Sequence, residues 1–213
     1  ISAAGKSVIL NSAGTVTQVG LSAASSVGTP VVFEAAATEY TAATFDSDSN
    51  KVVIAYRDEG NSNYGTAVVG TVSGDAISYG TAVVFESSST MFVAATFDSD
   101  SNKVVIAYLD FGNSEYGTAV VGTVSGTAIS FGSPVVFESA SISGYGTGIT
   151  FDSDSNKVVI AYQDGGNSGH GTAIVGTVSG TAISFGTAVV FEAAGTTYIG
   201  ATFDSSNNKV VIG

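Results

Sequence analysis

Apolar residues in this chain come in short, dense runs, and clusters of Gly, Ser, Asn and Asp cut them apart. Val52-Val53-Ile54-Ala55-Tyr56 is followed by a polar stretch from Asp58 to Asn63, then by Ala67-Val68-Val69, then by Ser73-Gly74-Asp75. No 3.6-residue apolar period and no helix-capping signal breaks this rhythm, so the pattern predicts strands joined by turns. None of the runs approaches the ~18 residues of a membrane helix.

The rhythm repeats. Phe45-Asp46-Ser47-Asp48-Ser49-Asn50-Lys51-Val52-Val53-Ile54-Ala55-Tyr56 returns from Phe97 to Tyr108 and from Phe151 to Tyr162, and begins again at Phe203, giving spacings of 52, 54 and 52 residues. Periods of this size belong to solenoids, propellers or arrays. The first full copy divides into four predicted strands, Tyr40–Phe45, Lys51–Tyr56, Gly65–Val72 and Ile77–Glu86. Residues 1–34 are less regular. Lys6–Leu10 and Thr15–Val19 read as strands there, and Val27 to Glu34 repeats the text of Tyr79 to Glu86.

Strand two carries the packing argument. Its alternate faces are both apolar, whereas a sheet with one wet face alternates apolar and polar. A small sheet greasy on both sides must lie between like sheets, and radial stacking of four-stranded blades achieves this. The expected fold is therefore all-β, a four-bladed β-propeller in a single domain, with blades at about 40–86, 92–138, 145–192 and 198–213 plus 1–34. In the last blade, C-terminal strands one and two are expected to join N-terminal strands three and four as a clasp. Lys6–Leu10 is a surplus strand that competes for that position.

Asp-Ser-Asp-Ser-Asn has the oxygen-rich spacing of a calcium loop. An EF-hand does not fit: six positions along from Asp46, counted inclusively, stands Lys51 rather than Gly, and the twelfth position is Arg57 rather than Glu. The turn reading needs only Asp to accept backbone N–H bonds and Asn to take a left-handed conformation. No metal site is therefore assigned, and Asp46, Asp48, Asp98, Asp100, Asp152 and Asp154 are retained only as a weak cation alternative.

A second loop recurs as Asp58-Glu59-Gly60-Asn61-Ser62, Asp110-Phe111-Gly112-Asn113-Ser114 and Asp164-Gly165-Gly166-Asn167-Ser168. Its frame repeats, as a turn with positive φ demands, while the residues around it change between copies. With the connections after Glu34, Glu86, Glu138 and Glu192, these loops fall on one face of an up-and-down blade, opposite the nearly identical Asp-Ser-Asp-Ser-Asn turns, the last of which reads Asp204-Ser205-Ser206-Asn207-Asn208. Loops on a rigid scaffold are where binding residues gather. The candidate ligand-binding residues are Tyr40, Arg57, Asp58, Tyr64, Phe92, Asp110, Phe111, Tyr116, Tyr145, Asp164, His170 and Tyr198.

Charge narrows the partners. Six Lys and Arg against 18 Asp and Glu leave a net charge of −12, which disfavours nucleic acid and anionic membrane surfaces. Without Cys there are no disulfides or thiolate metal sites. No basic-then-apolar leader follows Ile1, which reads as a processed or partial start. His170 is a lone His, and no Gly-x-Ser-x-Gly elbow, His-Glu-x-x-His or phosphate loop occurs. The expectation is that the chain is not an enzyme and uses no cofactor.

The texts Phe-Asp-Ser-Asp-Ser-Asn-Lys-Val-Val-Ile-Ala-Tyr, Gly-Asn-Ser-x-Tyr-Gly-Thr-Ala-Val-Val-Gly-Thr-Val-Ser-Gly and Gly-Thr-Pro-Val-Val-Phe-Glu, over about residues 27–213, resemble a repeat family of structural and tail-fibre proteins of marine bacteriophages. The Asp-x-x-x-Asn-Lys turn is also similar to that of kelch-type propeller repeats, without the kelch Trp and double Gly. The phage resemblance implies an extracellular or virion-associated setting, attachment to a larger virion or surface assembly, and adhesion to a host glycan or cell-surface receptor. It supplies no catalytic residues. The function expected is a non-catalytic binding module. The alternatives are a purely structural virion or filament component and a glycan-active enzyme.

Overall fold

The computed structural model describes residues 28–213, with backbone only at 143–145, together with the backbone of 8–10 and 16–18. Its regular structure is strand, apart from three single 3-10 turns. β1 (Val8–Leu10) and β2 (Val16–Gln18) form a two-stranded hairpin. Thirteen strands then form one antiparallel sheet: β3 (Thr38–Asp46), β4 (Lys51–Asp58), β5 (Tyr64–Ser73), β6 (Ala76–Tyr79), β7 (Val83–Asp98), β8 (Lys103–Asp110), β9 (Tyr116–Ser125), β10 (Ala128–Phe131), β11 (Val135–Asp152), β12 (Lys157–Asp164), β13 (His170–Ser179), β14 (Ala182–Phe185) and β15 (Val189–Gly195). β16 (Ala201–Asp204) and β17 (Lys209–Ile212) make a separate pair. The all-β expectation is met.

Within a repeat, β3, β4 and β5 run as a meander. The expected fourth strand is two pieces lying end to end along β5: β6 pairs with Gly70–Ser73, and the start of β7 with Tyr64–Ala67. From Thr90 onward β7 pairs with β8 instead. One 16-residue strand is thus the outer strand of one repeat and the first strand of the next, and the 18-residue β11 repeats the device. The expected loops at Ser87–Val93 and Ser139–Gly148 are therefore corrected to bulged strand. Ser and Thr there suit extended backbone as well as a turn; a bulge bends Ser87–Val93 without Gly or Pro, while Ser139–Gly148 also carries Gly144, Gly146 and Gly148.

The repeats stack face on face. Val53, Ala55, Val69 and Phe85 of the first pack against Val104, Ile106 and Tyr108 of the second. On the other side of β8, Val105, Ala107 and Leu109 pack against Val158, Ile160 and Tyr162 of the third. β8 is buried on both faces, as its doubly apolar sequence predicts. Each such large apolar side chain contributes roughly 1.5–3 kcal/mol on burial.

The hydrogen-bonded path does not close. β17 pairs with β16 and β2 pairs with β1, so the expected clasp between C- and N-terminal strands is not made by strand pairing among the described residues. The surplus strand, β1, pairs along one edge of β2. Closing a hairpin from a sequence neighbour costs less loop entropy than recruiting a strand from the far end of the chain.

Candidate binding face

Each repeat has two unlike ends. At one lie the Asp-Ser-Asp-Ser-Asn turns. Asp46 Oδ1 accepts from the backbone N–H groups of Asp48 and Ser49 at 3.0 Å each, and Asp98, Asp152 and Asp204 do the same in their own turns. Asn50, Asn102, Asn156 and Asn208 take the left-handed conformation, with φ of 52–57°. Bonds from Ser155 and Asn207 to the carboxylates hold Asp152 and Asp204 below the usual carboxylate range. The first acid of each turn is thus engaged by its own loop. Among the described residues no three His, Cys, Asp or Glu are grouped to hold a metal ion.

The opposite end carries the varying residues. The recurrent loops fold as 3-10 turns at Glu59–Asn61, Phe111–Asn113 and Gly165–Asn167, each followed by two left-handed residues: Ser62, Ser114 and Ser168 with φ of 57–59°, then Asn63, Glu115 and Gly169. Asp110 accepts from Gly112 N at 2.8 Å and Asp164 from Asn167 N at 3.0 Å, so these acids cap turns; Asp58 makes no such bond. Asp58 and Asp110 are both buried. Arg57 is paired with Glu39 at 2.9 Å, Leu109 is buried, and Gln163 donates to the Thr196 carbonyl. Of the residues expected as ligand contacts, Arg57, Asp110 and Asp164 thus hold bonds within the chain, and Asp58 is buried.

Below this end lie the seams between repeats, which the sequence reading did not find. Phe33, Phe85 and Phe137 pack on Tyr56, Tyr108 and Tyr162 of the following repeat, with ring centroids 5.2 Å apart in all three. The tyrosine hydroxyls donate to Glu34, Glu86 and Glu138 at 3.4, 3.2 and 3.0 Å. Burial pushes each tyrosine hydroxyl above its ordinary pKa, and the neighbouring glutamate pushes the same way. Burial, then Asp110, holds Glu86 above the usual carboxylate range. Phe-Glu and Ala-Tyr recur in every full copy, and that recurrence was the available signal. These three glutamates thus belong to the tyrosine seams.

The aromatic candidates divide into two sets. Phe111 is exposed, and Tyr64, Tyr116 and His170 are half-buried at the starts of β5, β9 and β13. Tyr40, Phe92 and Tyr198 each stand five residues before a Phe-Asp marker, and all three are in the left-handed region with φ of 49°, 53° and 58°. Asn and Ser take that conformation readily, but a bulky aromatic there is an outlier that costs about 1–3 kcal/mol. Tyr40 and Phe92 sit at the bulges between Glu39 and Ala42 and between Met91 and Ala94. Their rings meet edge to face at 5.3 Å across the seam, while Tyr198 is 73% exposed. The third copy has Gly146 at this position; Tyr145 precedes it, and its side chain lies outside the described residues.

Directly after these aromatics the chain lines a cavity. Ala42 of β3, Ala94 of β7, Gly148 of β11 and Gly200 before β16 all border one open space of about 350 Å³. The four copies thus each contribute to the border of one space, and small side chains let their chains approach. A Cβ on Gly148 would stand 2.8 Å from Ala201 N and from the Gly200 carbonyl carbon. The sequence showed the small residues but not their convergence.

No family model matches the chain, and no curated protein matches its sequence.

Proposed function

We propose that the chain is a non-catalytic binding module, a four-bladed β-propeller that recognises glycans of a host surface through the end bearing the 3-10 turns. The observation that carries this reading is the recurrence of Tyr40, Phe92 and Tyr198 in a strained backbone conformation at that end. Proteins keep such strain where the geometry of a side chain matters more than stability. Aromatic rings stack on the apolar faces of sugars, and several weak contacts on a repeat scaffold gain strength together. The setting that fits is an extracellular or virion-associated one, with the module attached to a larger fibre or surface assembly. A glycan array probed with the labelled protein tests the reading; absence of binding to every glycan overturns it.

The closed ring is supported by what the open face lacks. Val175 and Phe191 are 44% and 42% exposed, although their counterparts Val69 and Phe85 are 0% and 7% exposed beneath the next repeat. N-terminal strands three and four would cover them. The chain has no Cys, so a Thr17→Cys/Val211→Cys pair reports β2–β17 pairing by forming an intramolecular disulfide on oxidation. Free thiols in the folded monomer would count against closure.

A further inference from the structure

We infer that the C-terminal hairpin β16–β17 is a strap that closes on β3 of the first repeat and makes the fourth seam of the ring; the inference rests on the closed-ring reading above. The made seams supply the pattern. Between the first two repeats, Tyr40, Ala42 and Val53 on one side share an apolar cluster with Val93, Ala95 and Phe97 on the other. Between the third repeat and the hairpin the same register holds, since Gly148 lies against Ala201 and Ile199 is buried.

At the last seam both halves exist and both are wet. The repeat spacing puts Tyr198, Gly200 and Val211 where Tyr40, Ala42 and Val53 stand, and Thr41, Ala43 and Phe45 where Val93, Ala95 and Phe97 stand. The first three border an open hollow of about 410 Å³, and the second three are exposed. Val211 is 53% and Phe45 54% exposed, against 0% for Val53. Bringing these apolar surfaces together removes both from water, as in the made seams. The travel is short, because Ala43 of β3 and Ala201 of β16 already border the space shared by all four copies. Among the described residues the hairpin pairs with no other strand, so it can tilt without breaking ladder bonds. In the first made seam Asn102 Nδ2 donates to Asp48 at 2.5 Å; Ser206 takes the place of that acid in the last copy, so this seam has no carboxylate there.

Maleimide labelling of single-cysteine chains tests the strap, since the parent has no Cys. Ala43→Cys should react as slowly as Ala95→Cys, its counterpart in a made seam, and at least about tenfold more slowly than Gly195→Cys, which has open space around it. Val211→Asp, or Tyr198→Ser should that variant fail to fold, should speed Ala43→Cys to the Gly195→Cys rate and leave Ala95→Cys slow. Fast labelling of Ala43→Cys with the strap residues intact, or no response to either variant, overturns the inference. Protection that fades on dilution places the two halves in different copies and overturns it as well. The Thr17→Cys/Val211→Cys pair keeps the two closures apart. Its disulfide forming while Ala43→Cys labels fast fails the strap alone, and a protected Ala43→Cys without the disulfide fails the β2–β17 clasp alone.

Discussion

Removing only the hydroxyl of Tyr108 separates the two parts of a seam. The ring is fully buried and lies 5.2 Å from Phe85, and its hydroxyl donates to Glu86 at 3.2 Å. Tyr108→Phe keeps the ring and takes one hydrogen bond from a half-buried carboxylate. A bond to a charged group is worth about 1.5–3 kcal/mol, but solvent screening and the backbone bonds that Glu86 receives from Ser87 and Ser88 bring the expected loss to about 1 kcal/mol. Tyr108→Ala also empties the space beneath Phe85 and should cost about 3–5 kcal/mol. Urea denaturation followed by tyrosine fluorescence measures both, without interference from Trp, which the chain lacks. The pH dependence gives a second readout. Glu86 has a folded pKa above its ordinary value of 4.5, so the native state holds more protons than the unfolded one above that pH, and stability falls as pH rises through the folded value. The Tyr108 hydroxyl lowers that pKa, so Tyr108→Phe should deepen the fall. Equal losses for Phe and Ala, or identical pH profiles for Phe and the parent, would refute the account of the seam.

Gly80→Ala should destabilise by about 1–3 kcal/mol, because its Cβ would collide with the Thr127 carbonyl of the next repeat, whereas Gly195→Ala, with open space around it, should stay within about 0.5 kcal/mol in the same denaturation assay. Asp98→Ala removes a buried acceptor for two backbone N–H groups of an otherwise exposed turn and should cost about 1–2 kcal/mol by thermal melting. Millimolar calcium should leave the parent's Tm unchanged, and a rise would revive the cation reading of these turns. Asp152 and Asp204 have depressed folded values, so the stability they provide is present above about pH 3.8 and is lost as pH falls through those values; Asp152→Asn should flatten the acid limb of a pH–stability curve.

Much of the architecture was legible because period-2 chemistry is local. Val52 to Tyr56 announced a strand buried on both faces, and Asn50 announced a left-handed turn residue; both are observed. The path of Ser87 to Thr90 was not legible, since Ser and Thr suit an extended strand and a turn alike, and the choice depended on pairing partners far along the chain. The partner of β2 was likewise hidden, because Lys6–Leu10 and Lys209–Ile212 read as the same strand. Of the candidate site, the aromatics could be named from the copies' differences. Their backbone conformation, and the burial of Asp58 and Asp110, follow from register and packing that no single stretch encodes.

The long strands β7 and β11 leave the repeats without hinges. A protease that cuts exposed linkers finds none between the three copies within residues 38–195, and one of these copies cannot melt while its edge still serves as the first strand of the next. Hydrogen exchange across residues 38–195 should therefore report a single cooperative opening rather than three, and a circular permutant will tolerate new ends in the polar turns but not in the middle of either shared strand.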